Sequence, residues 1–542
     1  VTAAVGSIAA RGHSSRRRQS GIPRAWIVTA LSAVAILIVW EVAADLWLDG
    51  LGVIASPSEI LTSIVTHPLL YLNGFLATAW VAVRGWFWGN LVAIVLAILF
   101  VRFAAVENLL LRTALTLFCL PFVAIMPILA VTFQADTARV ILAAIAVFFT
   151  TLVNTVLGLR STEGAQLTLM RAWGGGQLDA LRFVRLRAAL PSIFTGLQVG
   201  AASAVLGAVF GEFIGAKQGL GVLLINGLAS LNVPQIWSVA VLATLMGAVP
   251  FLLLRIVSRL LSPWSASLAS APPAVEGRRR GTLATAVSTT LWVVGSLVVV
   301  LLAWYAFLGV FHVATYVGKT PLEVFTYLFT SSASAANRSA LFGELGTTLL
   351  HAGIGYALGL LFGIVAAIAF SLAPTVERVL SPLTISLQAV PIIVITPILI
   401  VIFGRGFGGV AAITTIVTFF PTLANVQNGL RRVPGDAMIL MRSYDSSTLS
   451  SLWRVQLPFT LPAIFASARI AVPASVLAAT VAEWLATGDG LGHVIVTAQT
   501  RAMFVELWAA AVLLTLVSLV FYAIVSAAER RVLRRFLPSS QQ

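Results

Sequence analysis

The residues able to do chemistry are few and badly placed for catalysis. Gly318-Lys319-Thr320 ends like a phosphate loop, but Val313 stands where the earlier glycine is required. Gly404-Arg405-Gly406-Phe407-Gly408-Gly409 fits a dinucleotide fingerprint formally, yet it joins two apolar runs and no strand precedes it, so a flexible turn is expected. No His/Glu spacing suits zinc, and Cys119 is the only cysteine, which excludes a disulfide framework or a thiolate cluster. What stands out is a polar segment that occurs twice: MRAWGGGQLDALRFVRLRAALP from Met170 to Pro191, and MRSYDSSTLSSLWRVQLPFTLP from Met441 to Pro462, offset by 271 residues. Its chemistry is that of a docking surface and not of a reaction.

The elements that position these segments are apolar. Of 542 residues, 59% are hydrophobic and 10% charged, and the mean hydropathy is +0.99. Soluble domains carry about 25% charged residues, so the chain reads as an all-α polytopic membrane protein. Runs long enough to cross a bilayer lie near 25–48, 73–102, 107–133, 137–159, 191–216 and 233–258, then 284–310, 344–373, 377–404, 409–430, 459–486 and 505–527. That makes about 12 transmembrane helices in two parallel six-helix repeats; helices are required because unpaired backbone is intolerable in lipid. The expected division is a basic tail over 1–24, a first repeat over 25–262, a linker over 263–283, a second repeat over 284–535 and a tail over 536–542.

The net charge of +15 comes almost wholly from arginines beside apolar runs. That placement marks membrane orientation and contact with anionic headgroups, not nucleic-acid binding. The N-terminal tail, Arg160 to Arg187, Arg278 to Arg280, Arg431 to Arg454 and the C-terminal arginines all fall on one side, which predicts a cytoplasmic linker and cytoplasmic termini. The first apolar run is too long for a signal peptide and reads as a retained helix.

The repeat extends to single residues. Thr78, Gly85, Gly89, Pro121 and Pro127 recur 270 positions later as Thr348, Gly355, Gly359, Pro391 and Pro397. After one inserted residue the offset is 271, and Glu212, Gly219-Leu220-Gly221 and Trp237 recur as Glu483, Gly490-Leu491-Gly492 and Trp508. In the polar segment, Leu178, Leu181 and Val184 make an amphipathic stripe, repeated by Leu449, Leu452 and Val455, and the Leu-Pro that closes each copy suits a helix start. Glu212 and Glu483, at the ends of their runs, are candidates for a gate or a partner contact, with a carboxylate reaching headgroup water as the plain alternative. Prolines 121, 127, 391 and 397 interrupt their helices and are candidates for the translocation path. Glu41, Arg84 and Arg469 are unrepeated intramembrane charges, expected to pair with one another or to snorkel.

The doubled polar segment, its closing Leu-Pro and the Gly-Glu or Ala-Glu followed by Gly-Leu-Gly resemble the membrane subunits of binding-protein-dependent ABC importers. Pro57-Ser58-Glu59, Pro321-Leu322-Glu323, Gln388-Ala389-Val390-Pro391 and Ala482-Glu483 are similar to the sulfonate, nitrate, taurine and thiamine-precursor branch. The resemblance covers both repeats and implies two permease units fused in one chain, with a type I importer fold. It implies that the polar segments are the EAA loops, which couple to two ABC ATPase subunits. The coupling residues would be Arg171, Ala172, Gly174, Leu178, Leu181 and Arg182 in the first copy. In the second they would be Arg442, Ser443, Asp445, Leu449, Leu452 and Trp453. Thr168 and Ile439 stand where the family pattern has glutamate, and Asp445 where it has glycine. The resemblance further implies no catalytic residue, no metal and no cofactor on this chain. ATP and magnesium would belong to the ATPase subunits, and an external binding protein or lipoprotein would deliver a small polar or anionic solute. Placement would be in the bacterial inner membrane. An ion- or proton-coupled carrier with two six-helix halves is the competing reading.

Overall fold

The computed structural model describes residues 24–44, 54–162, 164–213, 215–262, 282–373, 375–377, 380 and 392–536. The predicted linker and both tails lie essentially outside these residues, as does Pro391. Among the described residues the chain contains helices and no strands.

In the first repeat, α1 (Arg24–Ala43) leads to a short α2 (Pro57–Thr66) and a long α3 (Pro68–Arg102). A bent pair follows, α4 (Ala104–Cys119) and α5 (Phe122–Thr132), then α6 (Ala135–Arg160). The polar segment forms α7 (Gly164–Ala172) and α8 (Gln177–Asp179), and a π turn over Ala180–Arg185 carries the backbone into α9 (Leu186–Glu212). The repeat closes with α10 (Leu220–Ala229) and α11 (Val233–Leu261).

The second repeat reproduces this order. It comprises α12 (Thr282–Val310), α13 (Pro321–Phe325), α14 (Ser334–Leu372), α15 (Ile392–Phe403) and α16 (Phe407–Arg431). Then come α17 (Gly435–Ser443), α18 (Thr448–Ser451), a π turn over Leu452–Gln456, α19 (Leu457–Ala486), α20 (Leu491–Thr500) and α21 (Phe504–Phe536). Among the described residues eight helices are long and apolar enough to cross a bilayer, or nine if the bent pair α4 and α5 is one span, against the twelve expected from the sequence; α1 and α12 contribute the shorter apolar stretches Val34–Ala43 and Val294–Val310.

Small residues set the closest helix approaches. A methyl group on Gly89 would lie 2.6 Å from the carbonyl oxygen of Ala144 on α6, and one on Gly359, its counterpart, would lie 2.7 Å from the carbonyl oxygen of Thr415 on α16. The repeated glycines of α3 and α14 therefore let each pack backbone-to-backbone on its partner, as in membrane helix pairs where lipid offers no hydrophobic drive.

The two repeats are joined through the bent span of the first and α15 of the second. The chain turns by 102° between α4 and α5, at Pro121, and Pro127 lies inside α5. Beyond that bend α5 packs on α19, α20 and α21 of the other repeat, while α15, with Pro397 inside it, packs on α9 and α11. Pro121, Pro127 and Pro397 are all buried. α12 likewise crosses over to α4. The unrepeated charges do not pair with one another. Arg469 bonds Glu529 at 2.9 Å, Glu41 accepts from the Ser58 amide at 3.0 Å, and the Arg84 guanidinium lies over the Trp80 ring at 5.1 Å.

Candidate functional site

Each repeat has two functional ends, separated by a single helix. α9 runs from the polar segment to Glu212; at 1.5 Å per residue its 27 residues span about 40 Å, more than a bilayer core.

At the polar end, α7 stops at a left-handed residue, Gly174 with φ of 79°. Asp445, at the same place in the second repeat, adopts φ of 49°. Aspartate is among the few residues that tolerate this region. The turn is the same in both copies: Gly175 and Ser446 donate their amides to the carbonyls of Met170 and Met441, at 3.0 and 3.1 Å. Loss of the glycine thus leaves the loop shape intact. The turn thrusts aromatic residues into solvent: Trp173 is 80% exposed and Tyr444 77%. Leu178, Leu449 and Trp453 are exposed beside them, and so are Arg171, Ala172, Arg182, Arg442 and Ser443.

Two expectations need correction here. Leu452 is 1% exposed and packs among Phe370, Leu423 and Leu430, so it anchors the segment and presents no docking surface; Leu181 is half-buried in the matching cluster. Pro191 and Pro462 do not start helices but lie inside α9 and α19. The π turns carry the helix through without a fresh start, and the carbonyl freed by Pro191 is that of Arg187, an exposed residue at the polar edge.

At the opposite end Glu212 and Glu483 are 1% and 0% exposed, so the headgroup-water alternative does not describe them. Glu212 Oε2 accepts from Thr78 Oγ1 at 3.0 Å and from the Gly221 amide at 2.8 Å, while Thr78 Oγ1 itself accepts from the Leu220 amide at 2.8 Å. The second copy repeats these bonds: Glu483 Oε2 accepts from Thr348 Oγ1 at 2.9 Å and from the Gly492 amide at 3.0 Å, and the Leu491 amide donates to Thr348 Oγ1 at 2.8 Å. The carboxylate satisfies the free amides at the start of α10 and α20, where negative charge also complements the helix dipole. Glycine is obligatory beside it. Gly219 and Gly490 have positive φ, and a methyl group on either would overlap the carboxylate.

The copies differ at the second carboxylate oxygen. His351 Nδ1 lies 2.8 Å from Glu483 Oε1, and Glu344 accepts from the Gly490 amide at 2.6 Å. Val81 and Gly74 hold those places in the first repeat, where Glu212 Oε1 is buried without a partner. His351 was missed from sequence; a histidine three residues after the repeated Thr348, where the first repeat has Val81, was the available signal.

One residue beyond each glutamate sits an aromatic. Phe213 and Trp484 occupy equivalent positions, and their rings meet at 5.2 Å. Phe210 packs on both, at 5.9 and 5.5 Å. The two repeats are therefore closed against each other by three rings, held by the buried carboxylates immediately before them. Among the described residues no group of His, Cys, Asp and Glu could hold a metal ion.

The chain is a doubled bundle with an exposed polar turn at one end and an aromatic closure at the other, and comparison with known families decides what it does. The model for "Binding-protein-dependent transport system inner membrane component" matches twice, over residues 89–267 and 359–537. The chain belongs to that family. This decides for an ABC importer permease over a coupled carrier, and makes the chain a multi-pass membrane transport subunit with two fused permease units. Members are transport subunits and not enzymes.

Individual relatives cover about one repeat. A "Probable ABC transporter permease protein" of Haemophilus influenzae is 31% identical over 224 residues, 41% of this chain and 89% of its own length. The formylaminopyrimidine transport permease protein ThiX of Halalkalibacterium halodurans is 33% identical over 157 residues, 29% of this chain and 63% of its own. The putative aliphatic sulfonates transport permease protein SsuC of Bacillus subtilis is 27% identical over 250 residues, 45% and 87% respectively.

Proposed function

We propose that this permease couples to two ATP-hydrolysing subunits through the turns at Trp173 and Tyr444, and receives solute from an external binding protein at the Glu212 and Glu483 end. The observation that carries the reading is the doubled, identically shaped turn. Tryptophan and tyrosine are enriched among interface anchors, and Trp173 and Tyr444 are exposed and ready for a partner to bury. The ring closure at the far end then corresponds to a state sealed on the outside. Closure of the motor pair would draw the two turns together, and α9 and α19, continuous from turn to closure, would carry the movement to Phe213 and Trp484. ATP and magnesium belong to the motors. The arginine distribution supports a cytoplasmic position for the turns and both termini.

The solute we propose is small and polar or anionic, by kinship with permeases named for formylaminopyrimidine, aliphatic sulfonates, nitrate and taurine. The test is reconstitution in vesicles with the ATPase and binding protein encoded beside this chain. ATP-dependent uptake that requires all three components is expected. Uptake driven by an ion gradient, with no ATPase present, would end the proposal.

A further inference from the structure

α21 carries a line of polar side chains. Thr515, Ser518, Tyr522, Ser526 and Glu529 recur at spacings of three and four, so they share one face of a helix that crosses the bilayer. A hydroxyl in a helix can bond the carbonyl four residues back, as Thr515 does to Ala511 at 2.7 Å. Ser518 and Ser526 do not: their hydroxyls are buried without a partner, and Ser518 is 0% exposed. A buried hydroxyl left unbonded is destabilising, so two in one line call for something that bonds them.

Arg469 of α19 joins the same line. It lies twelve residues past the start of α19, about 18 Å along a membrane-spanning helix. Nη1 bonds Glu529 at 2.9 Å, and the guanidinium lies 5.9 Å from the centre of the Tyr522 ring. That bond uses one of five N–H donors, and the Arg469 side chain is 34% exposed. Charges at this depth face a bundle interior or a watery cavity, and they mark paths for ions and solutes. The line is turned toward the first repeat. α21 packs on α4 and α5, and Cys119, the last residue of α4, stands close enough to Tyr522 to interact with it electrostatically. The polar line therefore borders the seam between the repeats, beside the bend at Pro121 and on the turn side of the ring closure. The first repeat does not duplicate it: Gln198, Gly247 and Phe251 stand where the second has Arg469, Ser518 and Tyr522.

We propose that Arg469 receives the oxyanion group of the solute inside the membrane, with Ser518 and Ser526 as the hydroxyls that bond it along α21. Glu529 is the negative partner of Arg469 while the site is empty and gives way as the solute arrives, so the guanidinium is never left without one. This rests on the reading of the chain as a permease for a small polar or anionic solute, and it narrows that solute to a sulfonate, a carboxylate or an inorganic oxyanion.

The test uses the full chain with Cys119→Ala in phosphatidylcholine nanodiscs, which hold no anionic lipid. Ser526→Cys is treated with the sulfonate reagent (2-sulfonatoethyl)methanethiosulfonate and with its trimethylammonium counterpart, each rate being divided by that for free cysteine. The sulfonate reagent should be favoured about tenfold, as expected of a site that concentrates anions. The preference should vanish with Arg469→Gln, persist with Arg469→Lys and rise with Glu529→Gln. Val520→Cys, on the opposite face and 56% exposed, should react with neither reagent. Equal rates for the two reagents, a preference that survives Arg469→Gln, or a Ser526→Cys no more reactive than Val520→Cys would overturn the proposal. If Arg469→Gln does not fold with Glu529 stranded, Arg469→Gln combined with Glu529→Gln makes the same comparison with no lone charge. No ATPase or binding protein takes part, so failure here leaves the coupling proposal standing, and failure of coupling leaves this result readable.

Discussion

Phe213 and Trp484 stand 271 residues apart in the chain and 5.2 Å apart in space, ring against ring, at matching positions of the two repeats. Residues related by a pseudo-two-fold operation meet only at its axis, so this contact marks where the halves close on each other. Each ring follows a carboxylate that is buried and bonded to a neighbouring helix start, which fixes the aromatic in place.

The closure should open during transport. With Cys119 replaced by alanine, Phe213→Cys and Trp484→Cys should be bridged by a short bifunctional thiol reagent in the resting protein. Bridging should be lost when the ATPase subunits are trapped with nucleotide. Equal bridging in both states would show that the rings are scaffold and not gate.

The carboxylate anchors differ in how much each partner contributes. Thr348→Val strands both the Leu491 amide and one bond to Glu483, and should cost about 1–3 kcal/mol in thermal unfolding in detergent, as should Thr78→Val. His351→Val should cost less, because it only recreates the environment in which Glu212 already persists with Val81 beside it. The reverse order of severity would contradict this account.

Gly219→Ala and Gly490→Ala should abolish uptake and lower the melting temperature, since left-handed backbone strain of about 1–2 kcal/mol adds to an overlap with the glutamate. Gly215 is an internal control: its φ is 76°, but nothing lies near its missing side chain, so Gly215→Ala should show the strain alone. If all three variants behave alike, contact with the carboxylate is irrelevant.

At the other end, Trp173→Ala and Trp453→Ala should each weaken ATPase association about tenfold or more in a binding titration, with the melting temperature unchanged. Leu452→Ala should do the opposite: it lowers stability by about 2–5 kcal/mol as a core truncation while the exposed docking residues stay in place.

The doubling, the spans and the paired segments were legible because identity at a fixed offset survives in sequence, and apolar runs report their own length. Glu212 and Glu483 were found the same way, yet burial reversed one reading of them. A residue at the end of an apolar run looks exposed until the short helix that folds back over it, α10 or α20, is seen. Thr78 and Thr348 were noted as repeats but not as the hydroxyls that join two helices, because hydrogen-bonding across 134 and 135 residues leaves no local trace. The π turns ahead of Pro191 and Pro462 were equally silent, since Leu-Pro suits a helix start as well as a helix interior. Phe213 opposite Trp484 is not legible in the sequence, because the repeat shows itself through identities and this position conserves only ring character.

Phenylalanine facing tryptophan at that axis has a consequence for descent. Where a permease is built from two copies of one gene product, every substitution is written on both sides at once, and whatever meets at the axis must be compatible with itself. Duplication within a single reading frame lifts that rule, so one flank can acquire a mutation that its twin would not survive.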